Sequence, residues 1–307
     1  MRCVLNRWPT LQVVRGLVSL GISGNGFSGT FPGHLHANAD KLQVPDLRGN
    51  DLTGELPSEI PMNPSMRFLS LSDNRFDGSI PRSLNNLTRL RHLNMSDCQF
   101  SGDLPAFLSE STELSHLDLS KNRFSNGSFP ESFRRLTKLR WLSLEGTNLT
   151  AGIPPFTGGY SKMILLDLGN NNLSGTIPES IGSNTNLWFL SLGRNPRLEG
   201  TVPESLSQLS SLRVALFDRT GITGSLNGLC QLPAFRGAVG PSGFLSADCG
   251  GSSPRVICAC CNVCCDPTSE DQCYADDEVA ESIRPWELVL GRNAHIVGSN
   301  KTYFSGP

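Results

Sequence analysis

Eight cysteines crowd into the stretch from Cys230 to Cys273, with Cys249, Cys258, Cys260, Cys261, Cys264 and Cys265 between them. Thiols at that density either close disulfides or hold a soft metal ion. The spacing Cys261-x-x-Cys264 is that of a zinc knuckle. No histidine joins the cluster, and its thiols are too many for one tetrahedral ion. Disulfides are therefore expected, with metal binding through the cluster as the alternative; about 105 pairings are open to eight cysteines, so the connectivity is not legible. His92 and His116, 24 residues apart, are a second chemical possibility. At equivalent positions of neighbouring strands they would stand about 5 Å apart, close enough for a two-histidine metal site, although two surface histidines are the plainer reading. Gly24-Asn25-Gly26-Phe27-Ser28-Gly29 fits the glycine pattern of dinucleotide sites, but Pro32 prevents the helix that would carry a phosphate. No phosphate-binding loop, kinase loop, zinc-protease helix or nucleophile elbow occurs. No catalytic residue, cofactor or enzymatic activity is expected.

The elements that would position these residues repeat. Asn25, Asn50, Asn74, Cys98, Asn122, Thr147, Asn171, Asn195 and Thr220 recur every 24 or 25 residues inside one apolar frame, exemplified by Met66, Leu69, Leu71, Asn74, Phe76, Gly78, Ile80 and Pro81. Leu69 and Leu71 alternate as in a short strand, facing inward while Phe68 and Ser70 face out. A buried asparagine amide at the strand's end can satisfy stranded backbone groups of its own and the adjacent coil, so the stack forms a ladder. Cys98, Thr147 and Thr220 fill rungs with fewer hydrogen bonds. Proline at 32, 57, 81, 105, 130, 154, 178 and 203 starts each return segment. Pro45 stands in for a strand leucine and should weaken that strand's pairing.

This frame, ending in Asn, Leu, Gly, Ile, Pro, resembles the plant-type leucine-rich repeat over roughly residues 11 to 228. The resemblance implies an α/β solenoid, a leucine-rich-repeat superhelix of about nine 24-residue repeats with a parallel sheet on its concave face and 3-10 or loop segments outside. Residues 17–228 form the array and 1–16 a partial N-terminal flank, in which Cys3 and Trp8 read as remnants of a cap. Residues 229–273 form a cysteine-rich C-terminal cap, since an open solenoid end must be covered, and 274–307 an acidic, then Gly/Asn-rich tail. The segment from Asp248-Cys249 to Cys264-Cys265 also resembles the C-terminal part of diatom and algal proteins with this repeat. That kinship favours disulfides and a cell-surface or secreted setting. The chain start looks truncated, without an export signal.

Twenty-six basic and 28 acidic residues leave a net charge of -2, and no basic track suggests nucleic acid. No apolar run approaches the ~20 residues of a membrane span. Sequons at Asn86, Asn94, Asn126, Asn148, Asn172 and Asn300 are candidate glycosylation sites.

Function then falls on the outward sheet face. Six residues before each rung stand Val44, Phe68, His92, His116, Trp141, Leu165, Phe189 and Val214; one residue earlier stand Arg67, Arg91, Arg140, Trp188 and Arg213. Aromatic and arginine side chains anchor interfaces. Phe68, His92, His116, Arg140, Trp141, Trp188, Phe189 and Arg213 are the candidate ligand-binding residues, although a bulky apolar residue at the first position is also ordinary repeat packing. Asp46, Asp118, Glu145, Asp167 and Asp218 make the face mixed in sign. The resemblance implies a receptor-like recognition module for a protein or peptide ligand, with a co-receptor or a secreted hydrolase among its conceivable partners. Three alternatives remain: an inhibitor of polysaccharide-degrading enzymes like the plant polygalacturonase inhibitors, a structural or ice-binding surface, and metal binding by the cysteines.

Overall fold

The structure, a computed structural model, describes residues 18–31, 41–58, 63–125, 127–155, 160–236, 243–268, 273–275, 296–298 and 301–303. Cys3, Trp8, Pro32, Asn126 and Asn300 lie outside the described residues. The chain divides into two compact units, Met1–Leu166 and Asp167–Pro307.

In the first unit, strands Ser19–Gly21, Val44–Asp46, Phe68–Ser70, His92–Asn94, His116–Asp118 and Trp141–Ser143 pair in chain order, all parallel. Phe68 pairs with His92, His92 with His116 and His116 with Trp141, so one-repeat spacing in sequence becomes lateral contact. Leu69, Leu71, Leu93, Met95, Leu117, Leu119, Leu142 and Leu144 are fully buried on the other face. Two residues after the rungs, Phe76 and Phe100 stack with ring centroids 6.3 Å apart. Return segments are the 3-10 helices Arg82–Asn86, Ala106–Glu110 and Glu131–Arg135, each entered from a proline. These carry Leu84, Leu108 and Phe133 into the core. Around Pro45 the expected weakening is visible: Val44–Asp46 matches Phe68–Ser70 only through Asp46 and Ser70. A second small sheet, Ser28–Gly29, Asp51–Glu55 and Arg75–Asp77, follows the rungs; its strands are too short and irregular for a period-2 pattern to announce them.

The second unit repeats the scheme with strands Phe189–Ser191 and Val214–Leu216 and 3-10 helices Glu179–Ser183 and Glu204–Gln208. Parallel pairing then continues past the legible frame, through Phe244–Ala247 and Val263–Cys265, before Cys273–Ala275 turns antiparallel. All eight cysteines from 230 to 273 are paired: Cys230–Cys260, Cys249–Cys264, Cys258–Cys261 and Cys265–Cys273. In the tail, Ile296–Gly298 and Lys301–Tyr303 pair antiparallel.

The rungs work as a ladder. Asn74 Nδ2 donates to the carbonyls of Leu71 and Ser72 in its own coil and of Leu47 in the coil before, while its Oδ1 accepts from Leu52 N. Asn122 does the same for Met95, Leu119, Ser120 and Phe100. Asn25, at the centre of the glycine-rich match, donates to Ile22 and Ser23 carbonyls as a rung should. Cys98 offers only its thiol, 3.4 Å from the Leu71 carbonyl, and burial pushes that thiol up to about 12. Residues just before the rungs take left-handed backbone conformations: Gly24, Gly49, Asp73, Asp97, Lys121 and Gly146 in the first unit, Asn170, Arg194 and Arg219 in the second. For a non-glycine that geometry costs about 1 kcal/mol, which the rung hydrogen bonds offset.

Candidate functional site

The strands of the first unit bring Phe68, His92, His116 and Trp141 into one column on the sheet's outward face. Ring centroids are 4.5 Å apart for Phe68 and His92, 5.0 Å for His92 and His116, and 6.3 Å for His116 and Trp141. Parallel in-register pairing fixes this, because equivalent side chains one repeat apart must stand about 4.8 Å from each other. Phe68, His92 and His116 are half-buried by their neighbours, whereas Trp141 at the column's end is 38% exposed.

Burial within the column disfavours the charged form of both imidazoles. For His92, loss of hydration first, then the charges of His116 and Arg48, bring the pKa down to about 4 against the opposing pull of Asp46. Burial, then Arg140, lowers His116. Ser115 Oγ lies 2.9 Å from His116 Nδ1 and orients that ring. Among the described residues no third ligating side chain joins the two histidines.

Beside the column, Arg67, Arg91 and Arg140 are exposed. On its other side the polar residues are turned inward on the chain. Asp46 Oδ1 accepts from Arg48 N at 3.3 Å, Asn94 Oδ1 from Ser96 N at 3.0 Å, and Asp118 Oδ1 from Ser120 N at 3.0 Å and Ser120 Oγ at 2.7 Å. At Asn94 and Asp118 these two-residue side-chain turns carry an Asn/Asp-x-Ser spacing, a part of the face that repeat counting overlooks. Burial raises the Asp118 carboxyl, and its Ser120 hydrogen bonds counter that.

The expected site residues of the second unit behave differently. Phe189 is only 2% exposed, with Val214 at 0% and Phe244 at 5% in the same strand position. Phe189 is thereby corrected from an open contact residue to a packed one. Exposure depends on how high the neighbouring side chains stand as well as on the face from which a residue points. Trp188 and Arg213 are half-buried, and Arg213 Nη1 donates to its own chain at Leu212 O, 3.1 Å away.

Among the sequons, Asn86 and Asn148 are exposed and Asn94 and Asn172 half-buried. Asn148 Nδ2 already donates to Phe124 O at 3.1 Å. In the cap, the Sγ atoms of Cys230, Cys258 and Cys260 lie within 4.8 Å of one another, as do those of Cys249, Cys258 and Cys261. That crowding would suit thiolates around an ion, but every one of these sulfurs is bonded to another sulfur. No helix among the described residues is long and apolar enough to cross a membrane.

Comparison with known proteins agrees with this architecture. The Leucine Rich Repeat family pattern matches residues 65–87, 89–111, 113–136 and 162–184. Among solved structures, the chain is 31% identical to the Arabidopsis receptor kinase HAESA, solved with the peptide hormone IDA and the co-receptor SERK1, with a TM-score of 0.65 over 68% of this chain and 35% of that one. It is 30% identical to a TDR receptor, with a TM-score of 0.66 over 71% of this chain and 37% of that one. A leucine-rich repeat protein of Leptospira interrogans shares the fold at 22% identity, with a TM-score of 0.62 over 91% of this chain and 59% of that one. The chain thus spans little more than a third of the length of the two receptor structures. No curated protein sequence matches it.

Proposed function

The chain is a leucine-rich repeat protein of the plant type, and from that premise we propose that it is a non-enzymatic recognition module whose protein or peptide partner docks on the outward sheet face of the first unit. The observation that carries this reading is the column Phe68–His92–His116–Trp141, flanked by the exposed Arg67, Arg91 and Arg140. A row of rings already held against one another loses little side-chain entropy on binding, which is what an anchor requires. HAESA, solved with a peptide hormone and a co-receptor, supports a peptide partner and a receptor-like role. Four disulfides in the cap and the exposed sequon at Asn86 support a secreted or cell-surface setting.

Selection of a random twelve-residue display library on the immobilised full chain tests the proposal. Selected peptides should lose about tenfold or more in affinity for Trp141→Ala and His116→Ala, and keep it for Ile257→Ala on the cap. Binders indifferent to both column changes would refute this assignment of the site.

A further inference from the structure

Resting on the recognition reading above, we infer that the column face of the first unit selects an acidic, extended peptide. Its residue count is balanced in sign, but its available charge is not. Asp46 is engaged by Arg48 at 3.3 Å, and Lys121 lies 4.0 Å from Glu145. Asp118 is occupied by Ser120. Arg67, Arg91 and Arg140 form no ion pair among the described residues and remain exposed. The nearby acid Glu113 is bound by Lys138. Of the acids on this face, Asp46 and Glu145 are thus ion-paired within the chain and Asp118 is hydrogen-bonded, whereas the three arginines have no ion pair among the described residues.

The geometry of the rings points the same way. With Phe68 and His92 stacked at an interplanar angle of 15°, and the next two contacts at 33° and 30°, the faces of the inner rings are covered by their neighbours. What a ligand meets along the interior of the column is ring edges, the electropositive rim of an aromatic system. Such edges favour carbonyl and carboxylate oxygens. A sugar ring, which packs on aromatic faces, finds none free along the interior of the column. Arg67 and Arg91 stand on adjacent strands and Arg140 two strands further, about 5 and 10 Å between them. An extended peptide repeats its side chains on one side about every 7 Å, so long arginine side chains can meet a carboxylate at every second residue.

The probe is an alternating Glu–Tyr decapeptide, titrated against the full chain beside its Gln–Tyr and Lys–Tyr counterparts and a galacturonate oligomer of similar length. The Glu–Tyr peptide should bind about tenfold or more tightly than Gln–Tyr, weaken steeply with added salt, and lose that margin in the triple variant Arg67→Gln, Arg91→Gln, Arg140→Gln. The same changes at Arg134 and Arg135, on the return segment, should leave it intact. Equal binding of Glu–Tyr and Gln–Tyr, both abolished by Trp141→Ala, would overturn the acidic selectivity and leave the recognition face standing. Tighter binding of the galacturonate oligomer overturns the peptide assignment. Binding of none of the probes overturns this inference, while the display selection separately decides the recognition reading.

Discussion

The interior coils of the first unit and the last regular coil of the second solve one problem with different chemistry. In the interior, at the Asn50 and Asn74 rungs the two backbone N–H groups of the turn bond to carbonyls of the following coil: Gly49 to Ser72 at 3.0 Å, Asn50 to Asp73 at 3.1 Å, Asp73 to Ser96 at 2.9 Å, Asn74 to Asp97 at 3.3 Å. At the end of the regular array the equivalent donors, Arg219 N and Thr220 N, bond instead to the two carboxylate oxygens of Asp248, at 2.7 and 3.0 Å. One buried side chain thus imitates two backbone carbonyls. Cys249, the next residue, is tied to Cys264, and Arg255 donates to Thr220 O while standing 3.9 Å from Asp248. An interior coil can rely on an uncharged amide because a similar coil always follows. The last regular coil is followed by an irregular one, so it uses a fixed pair of side-chain acceptors beside a disulfide.

Breaking the covalent half should have the largest effect. The Cys230–Cys260 bridge spans 30 residues and Cys249–Cys264 spans 15; chain entropy assigns about 3 to 4 kcal/mol to each closure. Full reduction should therefore abolish hydrogen-exchange protection at Val214–Leu216 and Phe244–Ala247 while leaving Leu93, Leu117 and Leu142 protected. Simultaneous loss in both regions would show that the ladder depends on the cap.

Removing an interior rung comes next. Asn122→Leu strands the carbonyls of Met95, Leu119 and Ser120 and the N–H of Phe100, and should lower the denaturant-derived stability by about 3 to 4 kcal/mol. Asp248→Ala, which strands two N–H groups, should cost about 2 to 3 kcal/mol, and Asp248→Asn, which keeps one acceptor, about half of that. Equal costs for the two Asp248 variants would deny the carboxylate its double role.

Acid separates the regions more gently. The folded pKa of His92 lies near 4, below its ordinary 6.5, so the unfolded chain binds the extra proton first. Its contribution is fully present above pH 6.5 and is lost as pH falls toward 4, by about 1 to 2 kcal/mol once solvent screening of the half-buried ring is counted. His92→Gln should flatten that part of the pH–stability curve, read as Tm. The smallest change restores a rung: Cys98→Asn should raise stability by about 1 kcal/mol in chemical denaturation, because an amide can make the bonds that the thiol leaves unmade.

The repeat frame made much of this legible. Spacing alone located the strands from Phe68 to Trp141, the inward leucines and the asparagine ladder, because a period of 24 residues is written in each coil independently. It also placed Phe68, His92, His116 and Trp141 in one row. The left-handed residue before each rung left a partial signal in Gly24, Gly49, Asp73, Asp97, Gly146 and Asn170, but none in Lys121, Arg194 and Arg219.

What the tertiary structure decided is whatever depends on neighbours about 24 residues away or on where the array stops. The burial of Phe189 and the ion pairing that leaves Arg67, Arg91 and Arg140 without an ionic partner among the described residues arise from the heights and charges of surrounding side chains, and the four disulfide partnerships from how the segment 230–273 folds on itself. Asp248 lies outside the repeat phase, so no period points to it. Periodic order is local and each coil's sequence specifies it; termination and exposure are collective, set only when the coils are stacked and the last donors need partners.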